Sequence, residues 1–194
     1  MSRISLSALV WAGVLVAALP RMGLANAPAA EIVIDVDEQE MKLLQAGQEV
    51  AKFPISTSKF GVGDDFRSYK TPTGVFEVCD KMGGALPLGA VIKKGKPTGE
   101  VLAPDAPGRD PIVTRMIRLR GLEPQNSHAL ARGIFIHGTP EERRIGQPVS
   151  WGCIRMRSKD VAELFKQVPV GTRVVIQGKG RTGSPLGWLA RIFA

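Results

Sequence analysis

One stretch of this 194-residue chain has the periodicity of a sizeable amphipathic helix, and that limits the fold more than any other feature. Across residues 160–168, Val161, Leu164, Phe165 and Val168 recur at i, i+3, i+4 and i+7, and Pro169 and Gly171 then stop the helix. Asp160 followed by Glu163 fits a capping box, with Ser158 as the rival N-cap. Elsewhere apolar residues come in short runs, several of them alternating, at residues 31–37, 41–44, 50–55, 75–79, 112–119, 134–136 and 174–176. The 22 Gly and 14 Pro break these runs with turns. The pattern predicts a β-rich domain of sandwich or barrel type with one main helix packed on it.

The N-terminus reads as an address. Arg3 precedes an apolar run over residues 4–19 that is interrupted by Ser5 and Ser7. As a helix the run spans about 24 Å, short of the ~30 Å hydrocarbon core of a membrane. Pro20 and Gly23 end it, and Ala25-Asn26-Ala27 supplies a small–x–small cleavage pattern, so residues 1–27 are expected to be a signal peptide. An uncleaved anchor is the competing reading; both place the domain outside the cytoplasmic membrane, in the periplasm or facing the wall. Removing Arg3 and Arg21 takes the formal charge from +8 to +6. Export makes nucleic acid a poor partner for that charge and leaves cell-wall polymer or anionic lipid.

Residues 28–177 form the expected domain, and residues 178–194 a basic, Gly-rich tail for which packing on the domain and membrane contact are both open. Within the domain, residues 70–74 read as a rigid bend, because Pro72 keeps Thr71 extended and Gly74 permits a sharp turn. Residues 80–111 are so dense in Gly and Pro that a long functional loop or a disordered one is expected, with a short strand near residues 90–92.

Chemistry concentrates in Ile134-Phe-Ile-His-Gly-Thr139 and Val149-Ser-Trp-Gly-Cys-Ile-Arg-Met156. A strand delivers His137 to its end, and a loop leads to Gly152-Cys153 just before the helix. A free thiol is mostly protonated at neutral pH, so cysteine catalysis needs a base within reach to take the proton and later return one to a leaving amine. Gly152 would let a substrate approach closely, and turn amides around Cys153 would stabilise an oxyanion, at about 2.7–4 kcal/mol for each such donor. His128 is read as a loop residue without a catalytic role, and Cys79 as a buried residue ending its strand. A Cys79–Cys153 disulfide would silence the nucleophile. The two His and two Cys lack tight ligand spacing, and no phosphate-loop or dinucleotide fingerprint is present, so neither metal nor cofactor is expected.

The run His137-Gly-Thr139, Ile145-Gly146, Ser150-x-Gly-Cys-Ile-Arg-Met156 and Asp160 closely resembles the signature of the L,D-transpeptidase catalytic domain (YkuD-type) family. Ser56-Thr-Ser58, Thr71-Pro-Thr-Gly-Val-Phe76 and Gly171-Thr-Arg-Val-Val-Ile176 match it too, so the resemblance covers the whole domain. It implies a β-sandwich-like fold and peptidoglycan chemistry. The family's cysteine attacks the carbonyl between the L-centre of a diamino acid and the terminal D-Ala of a tetrapeptide stem. D-Ala leaves, and a second stem's amine resolves the thioester as a 3–3 cross-link; some members attach a lipoprotein instead.

Carried over, Cys153 is the nucleophile, His137 the base and then acid, and Gly138 lies where a backbone carbonyl orients the imidazole. Ser150, Trp151, Gly152 and Arg155 fall at substrate-binding positions; for Arg155, a salt bridge to a local acid such as Asp160 competes with a substrate carboxylate. Trp151 stands where the family often has His, and either walls the groove or packs. Two other outcomes compete with transfer: hydrolysis by a carboxypeptidase or amidase, and a non-catalytic wall-binding module.

Overall fold

The computed structural model describes residues 30–179; the expected signal peptide, and the tail from Gly180 onward, lie outside the described residues. Strands β1 (Ala30–Asp35), β2 (Glu40–Gln45) and β3 (Gln48–Pro54) form an antiparallel meander. Alternation decides which face is inward: Ile32 and Ile34 of β1, and Met41 and Leu43 of β2, are fully buried. On the far side of β1 runs β10 (Arg173–Gln177), parallel to it, followed by β4 (Gly74–Met82) and β7 (Val113–Gly121), both antiparallel to their neighbours. The last strands β8 (Phe135–Gly138) and β9 (Ile154–Met156) pair in parallel at the other edge of β7.

The sheet then meets itself. Beyond β3, Ser56 and Arg155 exchange both backbone hydrogen bonds (2.9 and 2.8 Å), and Ser150 N–H donates to the Thr57 carbonyl at 2.8 Å. The three-residue β9 is therefore held on both edges. Ile154 and Met156 anchor it to the core with no exposed surface, each burial worth about 1.5–3 kcal/mol. Helix α1 (Ala129–Arg132) precedes β8, and α2 (Ser158–Gln167) follows β9 and packs on β7 and β8. The β-rich architecture with one main helix is as the sequence predicts.

Several local expectations are corrected. Within residues 80–111, where a long loop with one short strand is expected, β4 runs on to Met82 and a hairpin of β5 (Ala90–Lys93) and β6 (Lys96–Val101) joins β7 at Val113. Helix α2 begins two residues early, and neither Asp160 nor Ser158 caps it: Arg157 is the N-cap, and the Ser158 N–H donates to Glu142 Oε1 at 2.8 Å. The anionic side chain that satisfies the helix start comes from the preceding loop. Cys79 lies inside β4, where the register with β7 shifts, and is only partly buried. Its thiol donates to the Arg118 carbonyl at 3.5 Å, and both cysteines are free.

Candidate active site

The parallel register of β8 and β9 sets the site. Ile136 faces Ile154 and His137 faces Arg155, so continuing the register puts Cys153 beside Phe135. Side chains alternate along a strand: Ile136, Ile154 and Met156 enter the core, while Phe135, His137, Cys153 and Arg155 share the opposite face. Cys153 and His137 are then diagonal neighbours, with backbones about 7–8 Å apart, within reach of side chains directed at each other. These four residues line one cavity of about 270 Å³, completed by Gly133, Trp151, Asp110 and Ile112.

Gly138 is required where β8 passes β7, since a Cβ there would sit 2.6 Å from the Val113 carbonyl oxygen. His137 Nδ1 lies 2.8 Å from the Gly138 carbonyl oxygen. A carbonyl only accepts, so Nδ1 carries the proton and Nε2 is left as the basic nitrogen. The ring is 5% exposed, and burial pulls its pKa from 6.5 to about 4. The Gly138 carbonyl and Asp110 oppose that drop, while Arg155 adds to it.

The Cys153 thiol is pushed above its ordinary value, again by burial, against the Phe135 amide and the Arg155 and Arg132 charges, which favour the thiolate. Its Sγ donates to the Gly133 carbonyl at 3.4 Å. The resting pair is thus a neutral thiol and a neutral imidazole.

The remaining motif residues divide between wall and scaffold. Trp151 is 54% exposed and does wall the cavity, its ring edge-on to Phe60 (5.3 Å) and Tyr69 (5.2 Å). Arg155 reaches the cavity but is paired with Asp110 (2.6 Å) and Glu141 (3.6 Å); Asp160 pairs instead with Arg157. Ser150 and Gly152 are buried behind the cavity and do not line it. The Ser150 hydroxyl donates to the Cys153 carbonyl at 2.6 Å and accepts from the Gly152 N–H at 3.2 Å. At Gly152 the close approach comes from the chain itself: φ is +119°, and a Cβ would lie 3.2 Å from the Lys70 carbonyl oxygen.

The Thr71 hydroxyl donates to the Gly152 carbonyl at 3.0 Å and accepts from the Ser58 N–H at 3.0 Å. The segments 56–58, 71–76 and 150–156, far apart in sequence, therefore meet behind Cys153. His128 stands away from the cavity at the start of α1, with its N–H bonded to Asp64 at 2.7 Å. Sequence reasoning missed Asp110, Ile112, Gly133 and Phe135 as lining residues. Asp110 had a signal, because it lies in the Gly- and Pro-rich segment expected to be functional, and so had Phe135, two residues before His137 on the expected strand. Among the described residues no group of three or more His, Cys, Asp or Glu is placed to hold a metal ion.

A family model described as "L,D-transpeptidase catalytic domain" matches residues 29–176. The Escherichia coli (strain K12) protein named "Probable L,D-transpeptidase YcfS" is 35% identical over 79% of this chain and 45% of its own length. YqjB of Bacillus subtilis (strain 168), which also carries an L,D-transpeptidase name, is 28% identical over 78% of this chain and 73% of its own. Among solved structures, an L,D-transpeptidase from Mycobacterium smegmatis superposes with a TM-score of 0.51 at 19% identity, over 78% of this chain and 59% of that one. At that identity the superposition bears on the fold alone. The match to YcfS covers less than half of that longer protein.

Proposed function

The chain belongs to the YkuD family of L,D-transpeptidase catalytic domains, and on that premise we propose that it is a cysteine-dependent acyltransferase of peptidoglycan. The observation that carries the reading is the convergence of Cys153 and His137 on one cavity, with Nε2 left free to accept a proton.

In this mechanism the Cys153 thiol passes its proton to His137 Nε2 as the sulfur attacks the carbonyl between the diamino acid and D-Ala. Burial disfavours the separated thiolate and imidazolium, so proton transfer accompanies C–S bond formation. The Gly152 amide is engaged by Ser150, which leaves the Cys153 N–H as candidate donor to the oxyanion. Collapse breaks the C–N bond; the imidazolium protonates the departing amine, and D-Ala leaves a thioester behind. An acceptor amine, from a second stem or a lipoprotein, then gives its proton to His137, forms the new amide and expels the thiolate, which recovers the proton.

The formal charge of +6 over residues 28–194 and the export pattern of residues 1–27 support action outside the cytoplasmic membrane on an anionic wall polymer.

The test is to incubate the mature protein under reducing conditions with tetrapeptide muropeptides and resolve the products by mass spectrometry. D-Ala release with 3–3 dimers is expected, and both disappear in Cys153→Ala. Trimmed stems without dimers would assign the thioester to water. Turnover unchanged in Cys153→Ala would remove the nucleophile.

A further inference from the structure

We infer that Lys59, held over the Trp151 ring at the cavity mouth, binds a carboxylate of the acyl-donor peptide. The inference rests on the peptidoglycan reading above and adds the group that recognises the donor's negative charge.

The two guanidiniums that lower the thiol's pKa are already engaged. Arg155 is paired with Asp110 and Glu141. Arg132 is paired with Asp64 at 2.8 Å and also donates to the Gly63 and Lys70 carbonyls. A substrate carboxylate would have to break a nearly buried ion pair to use either one.

Lys59 differs. Among the described residues no carboxylate lies within ion-pair range of it, and its Nζ stands 4.2 Å from the Trp151 ring centroid and 5.1 Å from that of Phe60. Its backbone is fixed to the motif, because the Lys59 N–H donates to the Ser150 carbonyl at 3.2 Å. The Trp151 ring that guides the ammonium is itself braced by Phe60 and Tyr69 and lines the cavity. The charge is therefore positioned with less rotamer freedom than a surface lysine has, and it still faces solvent.

The reach is suitable. An extended peptide covers about 3.3–3.6 Å per residue, so a carboxylate one or two residues from the scissile carbonyl lies about 4–7 Å from it. Lys59 stands over the Trp151 ring, which lines the same cavity as Cys153. The C-terminal carboxylate of a tetrapeptide stem, one residue beyond the scissile carbonyl, qualifies.

The experiment measures binding without turnover, by calorimetry in a Cys153→Ala background, with two tetrapeptides: one with its C-terminal carboxylate free and one with it amidated. Lys59→Gln is expected to weaken the free peptide about three- to fivefold, as for an exposed ion pair. It should leave unchanged the peptide whose amidation removes the recognised carboxylate, and Lys59→Arg should restore affinity. Added salt should erase the difference. Equal affinity of the Lys59 and Lys59→Gln proteins for the peptide with its carboxylate free, with D-Ala release by the unmodified enzyme intact, overturns this inference alone. No binding together with no D-Ala release overturns the peptidoglycan reading and this inference with it.

Discussion

Burial of His137 gives the ring a part in stability as well as in the proposed chemistry. The ring is 5% exposed, and its pKa falls from 6.5 to about 4 because the buried site disfavours the imidazolium, with Arg155 adding to the effect. In the unfolded chain the imidazole takes up a proton near 6.5, whereas in the folded protein it does so only near 4. Between those values the unfolded state binds more protons, so stability contributed by the neutral ring is complete above 6.5 and drains away as pH falls to about 4. At about 1.4 kcal/mol per pH unit, the loss is roughly 3 kcal/mol. Urea unfolding of the wild-type protein and His137→Gln at pH 7, 6, 5 and 4 measures it, because titration of the carboxylates common to both proteins cancels in the difference. The wild-type-minus-variant stability should fall by roughly 3 kcal/mol over this range. A difference that stays flat would refute the account of a ring held neutral by desolvation. The same shift places the acid limb of kcat/KM for D-Ala release near pH 4, well below the limb of an ordinary histidine base.

Two further substitutions probe the supports of the site. Gly138→Ala drives a methyl group into the Val113 carbonyl and should cost about 1–3 kcal/mol in chemical denaturation, with loss of D-Ala release; wild-type behaviour would show that β7 and β8 yield easily there. Arg155→Ala leaves Asp110, 14% exposed, without its 2.6 Å partner and should cost about 2–3 kcal/mol, the lower side of a buried-pair deletion because both groups retain some solvent. Adding Asp110→Ala should recover part of that loss; strictly additive costs in the double-mutant cycle would deny the coupling.

The sequence carried the core strands and the motif around Cys153 because both are local signals. Alternation at Ile32–Ile34 and Met41–Leu43 is written into neighbouring residues, and the helix face of Val161, Leu164 and Val168 is equally self-contained. Strand β6 left no such trace, since all its residues from Lys96 to Val101 are exposed and no apolar alternation exists to read. Strand β9 is hidden for another reason: three residues become a strand only because β8 and the segment after β3 supply partners from remote positions. The partner of Arg155 was equally illegible. Asp160 is near in sequence, but the ion pair goes to Asp110 and Glu141, brought close by the return from the β5–β6 hairpin and by the loop after β8. The cap of α2 failed alike, with Glu142 arriving from outside the helix.

The parallel pairing of β1 with β10 has a mechanical consequence. Chain enters the ladder beside the Glu31–Arg173 pair and leaves it beside Asp35–Gln177, at opposite ends of two strands running the same way. Tension between the flanking segments makes the two strands slide past one another, loading their cross-links simultaneously. A load applied to one end of an antiparallel pair would open it one bond at a time. A domain stretched from both sides would yield abruptly at high force, while β8 and β9, which line the cavity, lie several strands away from the loaded pair.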